Sequence, residues 1–342
     1  MTATQHRGLD LGDLHSYLSD SGVRVDGELR ADLISGGKSN LTYAIFDASS
    51  RWVLRRPPTA GLTPSAHDVV REYRITSALE GTGVPVARTI TLCEDESVLG
   101  APFTLAEHVN GRVIRTKTDL AELGGHDIDA CIDELVQVLG TLHNVDYHAV
   151  GLGEFGRPDG YLTRQVALWA KQWGRVHTKA SPDLDRLHAG LADSIPAQSE
   201  ASIVHGDFRI DNTILAPDDA GRVAAVVDWE LSALGDPLTD VALMCVYRNP
   251  AFDLVIGEPA AWTSARLPSA DEIAQRYTLA SGRELVHWNF YLALANFKLA
   301  VIAEGINHRY RVGATVGDGF DKAGESVPEF IATGLRALKG TY

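Results

Sequence analysis

Val204-His205-Gly206-Asp207-Phe208-Arg209-Ile210-Asp211-Asn212, with Val226-Val227-Asp228-Trp229-Glu230 shortly behind it, puts three oxygen-bearing side chains into one short region. Asn212 follows Asp207 by five residues, and Asp228 follows Asn212 by sixteen. The apolar runs Ala201-Ser202-Ile203-Val204 and Ala224-Ala225-Val226-Val227 predict short buried strands, with Ile214-Leu215 as a possible third between them. The carboxylates and the amide then project from strand ends and from the loop between. Phosphoryl transfer from a nucleotide needs such a layout. One carboxylate orients or accepts the proton of the attacking hydroxyl. An amide oxygen and a second carboxylate hold the metal ions that neutralise phosphate charge.

The same stretch resembles the HGDxxxxN motif and the following metal-binding Asp of the aminoglycoside phosphotransferase/choline kinase-like family, which shares the protein-kinase fold. A lone Asp-x-x-x-x-Asn is most often a turn former. Here the whole motif, the spacing to Asp228 and the apolar flanks agree. The resemblance implies an α+β, bilobal, protein-kinase-like fold. A small N-terminal lobe with an antiparallel sheet is expected over 1–108, and a mainly helical C-terminal lobe over 109–342. The resemblance also implies ATP and Mg2+ as cofactors. It gives Asp207 the role of catalytic base and Asn212 and Asp228 the role of magnesium ligands, while His205 and Gly206 shape the loop.

Composition narrows the field. The chain has 342 residues, 45% hydrophobic and 22% charged, which suits two lobes with separate cores. No apolar run reaches the roughly 20 residues of a membrane span. Met1 to Leu11 lacks the apolar centre of a signal peptide, so a cytoplasmic location is expected. A formal net charge of −14 argues against nucleic acid as a partner. It would suit a cationic substrate, although acidic chains are also common for solubility alone. Cys93, Cys131 and Cys245 lie far apart in apolar surroundings and are expected in the core. The sequence carries no signal for oligomeric state.

Leu9 to Leu18 predicts a short helix with Leu11, Leu14 and Leu18 on one stripe. Leu33 to Phe46 reads as strand, glycine-rich turn and strand. Gly36, Gly37, Ser39 and Asn40 match a Gly-Gly-x-Ser-Asn pattern of the resembled family, a loop that can lay backbone N–H groups over phosphates. Arg51 to Arg55 continues as a strand before Pro57-Pro58. Alternation puts Val53 and Arg55 on one face, toward base and phosphates, although a shift of register would favour Arg56. Asp68 to Leu79 predicts a helix with Val69, Glu72, Ile75, Thr76 and Leu79 along one stripe. A carboxylate on an apolar stripe is costly unless paired. The resemblance supplies Arg55 as the partner of Glu72. It also places the strand into the interlobe linker at Phe103 to Val109, with the adenine near Glu107 and Val109. Gly111 is expected to relax the backbone beyond it.

Further on, Cys131 to His143 is a core helix, and His143 is expected to pack or cap. A helix begins at Tyr161. Leu234 to Ala242 is expected to start another, with Asp236 at the cap and Pro237 at its first position. Asp240 is expected to brace rather than catalyse. Ala270 to Ser281, Leu285 to Gly305 and Val327 to Leu338 complete the helices.

Val53-Leu54-Arg55-Arg56-Pro57-Pro58, Arg71-Glu72-Tyr73, Arg164-Gln165 with Trp169, and Ala303-Glu304-Gly305 resemble one branch of the family. Some members of that branch are fused to, or named after, acyl-CoA dehydrogenases. This chain is short for both activities, and no dehydrogenase function is expected of it. The expectation is an ATP- and Mg2+-dependent kinase acting on a small-molecule hydroxyl. A hydroxy acid or hydroxyacyl thioester fits the branch, with Arg164, Lys298 and Arg309 as anion contacts and Glu230 within reach of metal or substrate. An aminoglycoside acceptor and a nucleotide-binding pseudokinase are the alternatives.

Overall fold

The computed structural model describes residues 8–35, 40–58, 68–198, 200–314 and 319–341. Its contacts divide the chain into two units, Met1–Asn110 with Ala225–Glu230, and Gly111–Ala224 with Leu231–Tyr342. The segment carrying Asp228 packs with the first unit.

In the first unit, helix α1 (Leu11–Asp20) starts at Asp10, whose carboxylate accepts the N–H of Gly12 and Asp13. Strands β1 (Arg30–Ser35), β2 (Leu41–Phe46) and β3 (Arg51–Arg56) lead to helix α2 (Val69–Leu79). Strand β4 (Thr89–Cys93), the single turn α3 (Glu96–Leu99) and β5 (Phe103–Glu107) follow. The five strands pair antiparallel in the order β1-β2-β3-β5-β4. Leu41, Tyr43 and Ile45 of β2 and Trp52 and Leu54 of β3 are buried on one face, packed with Leu14 and Leu18 of α1. Arg56 shares that face, and its guanidinium donates to the carbonyls of Gly8, Pro57 and, at 2.6 Å, Leu99. Val53 and Arg55 therefore lie on the opposite face, because successive side chains of a strand alternate. Arg55, and not Arg56, is the arginine on the face that meets Glu72. Helix α2 is capped by Asp68, and Val69, Glu72, Ile75 and Leu79 form its buried stripe.

The second unit opens with α4 (Lys117–Ala121), α5 (Gly125–His143), α6 (Tyr161–Val176) and α7 (Pro182–Asp193). Strands β6 (Ser202–Val204), β7 (Thr213–Ala216), β8 (Asp219–Val226) and β9 (Ala233–Gly235) come next. Helices α8 (Leu238–Val246), α9 (Phe252–Ile256), α10 (Ala270–Ser281), α11 (Trp288–Arg311) and α12 (Val327–Leu338) complete it. Helix α11 is buried nearly all round, with Ala293, Phe297, Ala300 and Ala303 fully inaccessible, as a central helix must be. Helices α6, α7, α8 and α12 pack on it.

Three local expectations are corrected. Leu234 belongs to strand β9, which pairs antiparallel with β6, and the helix begins only at Leu238. Helix α11 starts at Trp288 rather than Leu285, because His287 takes a left-handed conformation with φ 53°. Gly111 is required by close approach: a Cβ there would run into the Leu215 carbonyl. The three cysteines are free and buried, and burial pushes the Cys131 thiol up to about 12. Among the described residues no helix is long and apolar enough to cross a membrane.

Candidate active site

Strand β6 delivers the motif to its loop. All three of its residues are buried, and Ser202 Oγ donates to the His143 carbonyl at 2.8 Å. The chain then turns at Gly206, whose φ of +86° suits glycine; a Cβ there would stand 2.7 Å from the Leu231 carbonyl oxygen. Asp240, in the first turn of α8, accepts the backbone N–H of His205 at 2.6 Å and of Gly206 at 2.8 Å. His143 stands behind it, with Nε2 3.3 Å from Asp240 Oδ2 and Nδ1 2.7 Å from Tyr277 Oη. Burial lowers the His143 pKa and outweighs the pull of Asp240. Burial would raise the Asp240 pKa, but the bonds from His143 and the His205 backbone hold it below the ordinary carboxylate value. The stable arrangement is a neutral imidazole donating from Nε2 to an ionised Asp240 and accepting at Nδ1 from Tyr277. Asp240 thus braces the loop, as the sequence suggested, and His143 packs behind it.

A single 3-10 turn over Ile210–Asn212 brings Asn212 back onto Asp207. Asn212 Nδ2 donates to the Asp207 carbonyl at 2.8 Å and to its Oδ2 at 3.0 Å. Two residues that the sequence reading did not single out complete this cluster. Arg209 donates from Nε to Asp207 Oδ1 at 3.1 Å and from Nη2 to Oδ2 at 3.3 Å, and pairs with Asp211 through Nη1. Tyr247, at the end of α8, donates its hydroxyl to Asp207 Oδ1. The Arg209 guanidinium lies 5.5 Å from the ring centroids of both Tyr247 and Phe252. Burial would raise the Asp207 pKa, but Arg209, Tyr247 and Lys298 outweigh it and hold the carboxyl below its usual range. Arg209 was visible in the motif itself, as a cation between two carboxylates. Tyr247, forty residues beyond Asp207, carried no sequence signal.

The first unit holds a second cluster. Arg55 Nε lies 3.0 Å from Glu72 Oε2, and its Nη2 lies 3.2 Å from Glu72 Oε1 and 3.5 Å from Asp228 Oδ1. Asn40 is buried and donates to Glu72 Oε1 at 2.8 Å, so its amide nitrogen is committed to bracing Glu72. Burial would lower the Arg55 pKa, but the charges of Glu72, Asp228 and Glu230 raise it. Burial pushes the Glu72 carboxyl up against the opposing pull of Arg55. With donors from both Arg55 and Asn40, the pair is an ionic one. Asp228 adopts φ 65°, one of two non-glycine residues at positive φ among those described. Asp tolerates that region better than most residues, yet the conformation still stores strain, a frequent mark of functional positions.

The remaining candidates divide. Val53 shares the face of Arg55. Glu107 ends β5 and pairs with Arg88; the N–H groups of Glu107 and His108 are spent on the carbonyls of Arg88 and Arg51. Val109 is half-buried just beyond. Gly36, Gly37 and Ser39 lie outside the described residues. Of the three basic candidates, only Lys298 is beside the motif loop. Its Nζ donates to the Gly206 carbonyl at 2.8 Å and sits 5.5 Å from the Trp169 ring centroid. It lines a cavity of about 30 Å³ with Tyr161, Gln165, Trp169, Gly206 and Asp240. Arg164 is exposed and turned onto the carbonyls of Arg157 and Asp159, and Arg309 is exposed in the last turn of α11.

Among the described residues no group of three or more His, Cys, Asp or Glu is placed to hold a metal by itself. Asn212 and Asp228 offer the hard oxygen donors that magnesium prefers. Because Asn212 Nδ2 is committed to Asp207, its Oδ1 is the end left to act as a ligand. The Asp228 side chain is 36% exposed and able to bind outward. Each of the two, taken by itself, has the donor chemistry for a divalent ion.

Against known proteins, residues 30–282 match the family described as "Phosphotransferase enzyme family". The chain is 38% identical over 305 residues to mouse acyl-CoA dehydrogenase family member 10, covering 88% of this chain but 28% of that protein. It therefore spans less than a third of that relative, which agrees with the branch its motifs resemble. A crystal structure of a candidate aminoglycoside phosphotransferase from Ralstonia eutropha superposes with a TM-score of 0.83 at 34% identity, covering 97% of this chain and 98% of that one. A variant of aminoglycoside phosphotransferase APH(4)-Ia, in ternary complex with ADP and hygromycin B, superposes with a TM-score of 0.61 at 14% identity, covering 95% and 97%. That likeness speaks to the fold alone, which is α+β and protein-kinase-like.

Proposed function

From the premise that this chain belongs to the phosphotransferase enzyme family, we propose that it transfers the γ-phosphate of ATP to a hydroxyl of a small molecule. The observation that carries this reading is the guanidinium of Arg55, fixed by Glu72 beside the strained carboxylate of Asp228. A fixed fork of N–H donors next to an outward carboxylate suits a phosphate chain with its counter-ion. The ADP complex of the APH(4)-Ia variant supports a nucleotide donor.

Asp207 takes the chemistry. Its depressed pKa keeps it ionised near neutral pH, ready to orient the acceptor hydroxyl. The acceptor oxygen bonds to the γ-phosphorus as the bridging bond to ADP breaks. The electron pair leaves on ADP, and the hydroxyl proton passes to Asp207. Arg55 neutralises phosphate charge, with Glu72 and Asn40 preventing its collapse onto other groups. Magnesium held by Asn212 and Asp228 would supply further charge neutralisation. The Gly-Gly-x-Ser-Asn turn and Val53, Glu107 and Val109 complete the nucleotide contacts in this reading.

For the acceptor, Lys298 supports a hydroxy acid or hydroxyacyl thioester. A half-buried cation beside the base attracts an anionic group and disfavours a cationic aminoglycoside. Calorimetry of ATP with and without Mg2+, on wild type and Asp228→Asn, tests the donor half. Magnesium-dependent binding that the variant loses is the expected result; absence of binding in wild type, with ATP and then GTP, defeats it. A panel of hydroxyacyl-CoAs and aminoglycosides, read by ADP formation, tests the acceptor half. Turnover confined to aminoglycosides reverses the assignment of Lys298. Binding without turnover on either panel leaves a pseudokinase.

A further inference from the structure

Both oxygens of Asp207 are fully engaged. Tyr247 Oη and Arg209 Nε donate to Oδ1; Arg209 Nη2 and Asn212 Nδ2 donate to Oδ2. A carboxylate offers about four lone-pair directions, so an arriving hydroxyl finds none open. One donor must leave for the acceptor to reach the base. Arg209 is tied a second time to Asp211 and lies over Phe252. Asn212 Nδ2 is tied a second time to the Asp207 carbonyl. Among the described residues, Tyr247 Oη bonds Asp207 alone. It is also the only one of these donors that is a hydroxyl, the group the proposed reaction brings to the same atom.

We propose that Tyr247 is a positioning residue whose hydroxyl holds the acceptor's place on Asp207 Oδ1 and is displaced when the acceptor binds, with Arg209 as the fixed half of the clamp. This rests on Asp207 being the base. The other charged groups facing Asp207 are Lys298 and Asp211, with Asp240 behind the loop and His205 Nδ1 accepting the Asp207 N–H at 3.2 Å. None of these is a neutral hydroxyl that can withdraw without leaving a buried charge unpaired. The Tyr247 ring is anchored independently, with its centroid 4.5 Å from that of Phe252. The hydroxyl can therefore be removed with the packing kept.

Tyr247→Phe is the test, with two readouts. The Asp207 carboxyl is followed by carbon NMR titration on full-length protein labelled at the Asp side-chain carboxyls, the resonance assigned by its loss in Asp207→Asn. It titrates higher in Tyr247→Phe than in wild type, because a donor to the charged form is gone. An unchanged titration overturns the clamp. With a hydroxyacyl-CoA acceptor and saturating ATP, the acceptor KM falls about threefold to tenfold, the worth of one net hydrogen bond no longer displaced. Arg209→Lys, which disturbs the fixed half, raises KM instead. A KM that is unchanged or higher in Tyr247→Phe overturns the place-holding role even where the titration moves. Should wild type turn over no hydroxyacyl-CoA, the acceptor assignment fails, and the same KM comparison on the hydroxyl substrate that it does turn over decides this inference.

Discussion

At the scale of single residues, Asp207 carries the sharpest expectation. Asp207→Asn keeps the shape and one accepting oxygen for Asn212 Nδ2 and Arg209 Nη2, but its amide nitrogen accepts no bond and it cannot take a proton. Turnover is expected to fall by at least about a hundredfold, with ATP affinity measured by calorimetry little changed. Equal ATP consumption by variant and wild type removes Asp207 as the base. Lys298→Ala separates acceptors by charge: it raises KM for a hydroxyacyl-CoA by about tenfold, the loss of one charge-assisted contact, and leaves an uncharged alcohol unaffected. Glu230 is less defined. Its charge reaches Arg55.

At the scale of elements, the loop after β6 depends on α8 and α5. Asp240→Ala leaves the N–H groups of His205 and Gly206 without their acceptor inside the fold. A loss of about 3 kcal/mol in urea denaturation is expected. The same network has a pH signature. His143 is buried with its pKa below the ordinary 6.5. As pH falls through 6.5, the unfolded chain takes up a proton that the folded chain refuses, so folded stability declines. Asp207 and Asp240, both held below the ordinary 3.8, act lower: their contribution is complete above that value and is lost as pH drops through their folded pKa values. Denaturation midpoints measured between pH 7.5 and 5.5 should fall in wild type and fall less in His143→Gln. Equal slopes would place His143 outside this network. Helix α2 shows how much one element reveals in advance: a carboxylate on an apolar stripe demanded a cation, and Arg55 meets it.

At the scale of the whole molecule, net charge and local charge oppose each other. The chain carries −14 overall, yet Arg209 and Lys298 flank Asp207. An anionic acceptor is repelled at long range and held at short range. Its kcat/KM should rise when salt is raised from low ionic strength, whereas that of a cationic aminoglycoside should fall, since only the long-range field is screened. Kinetics over a salt series checks the sign. The sequence by itself determined the α+β composition, the strand alternation that separates Arg55 from Arg56, and the spacing of Asp207, Asn212 and Asp228. These follow from local periodicity and from groups close in the chain. Only the tertiary structure decided that Leu234 is a strand residue, because its partner β6 lies thirty residues earlier. It alone set Lys298, rather than Arg164 or Arg309, beside the motif loop, and brought Tyr247 onto Asp207. Such contacts join side chains remote in sequence, and nothing in local propensity or spacing encodes which remote pair will meet.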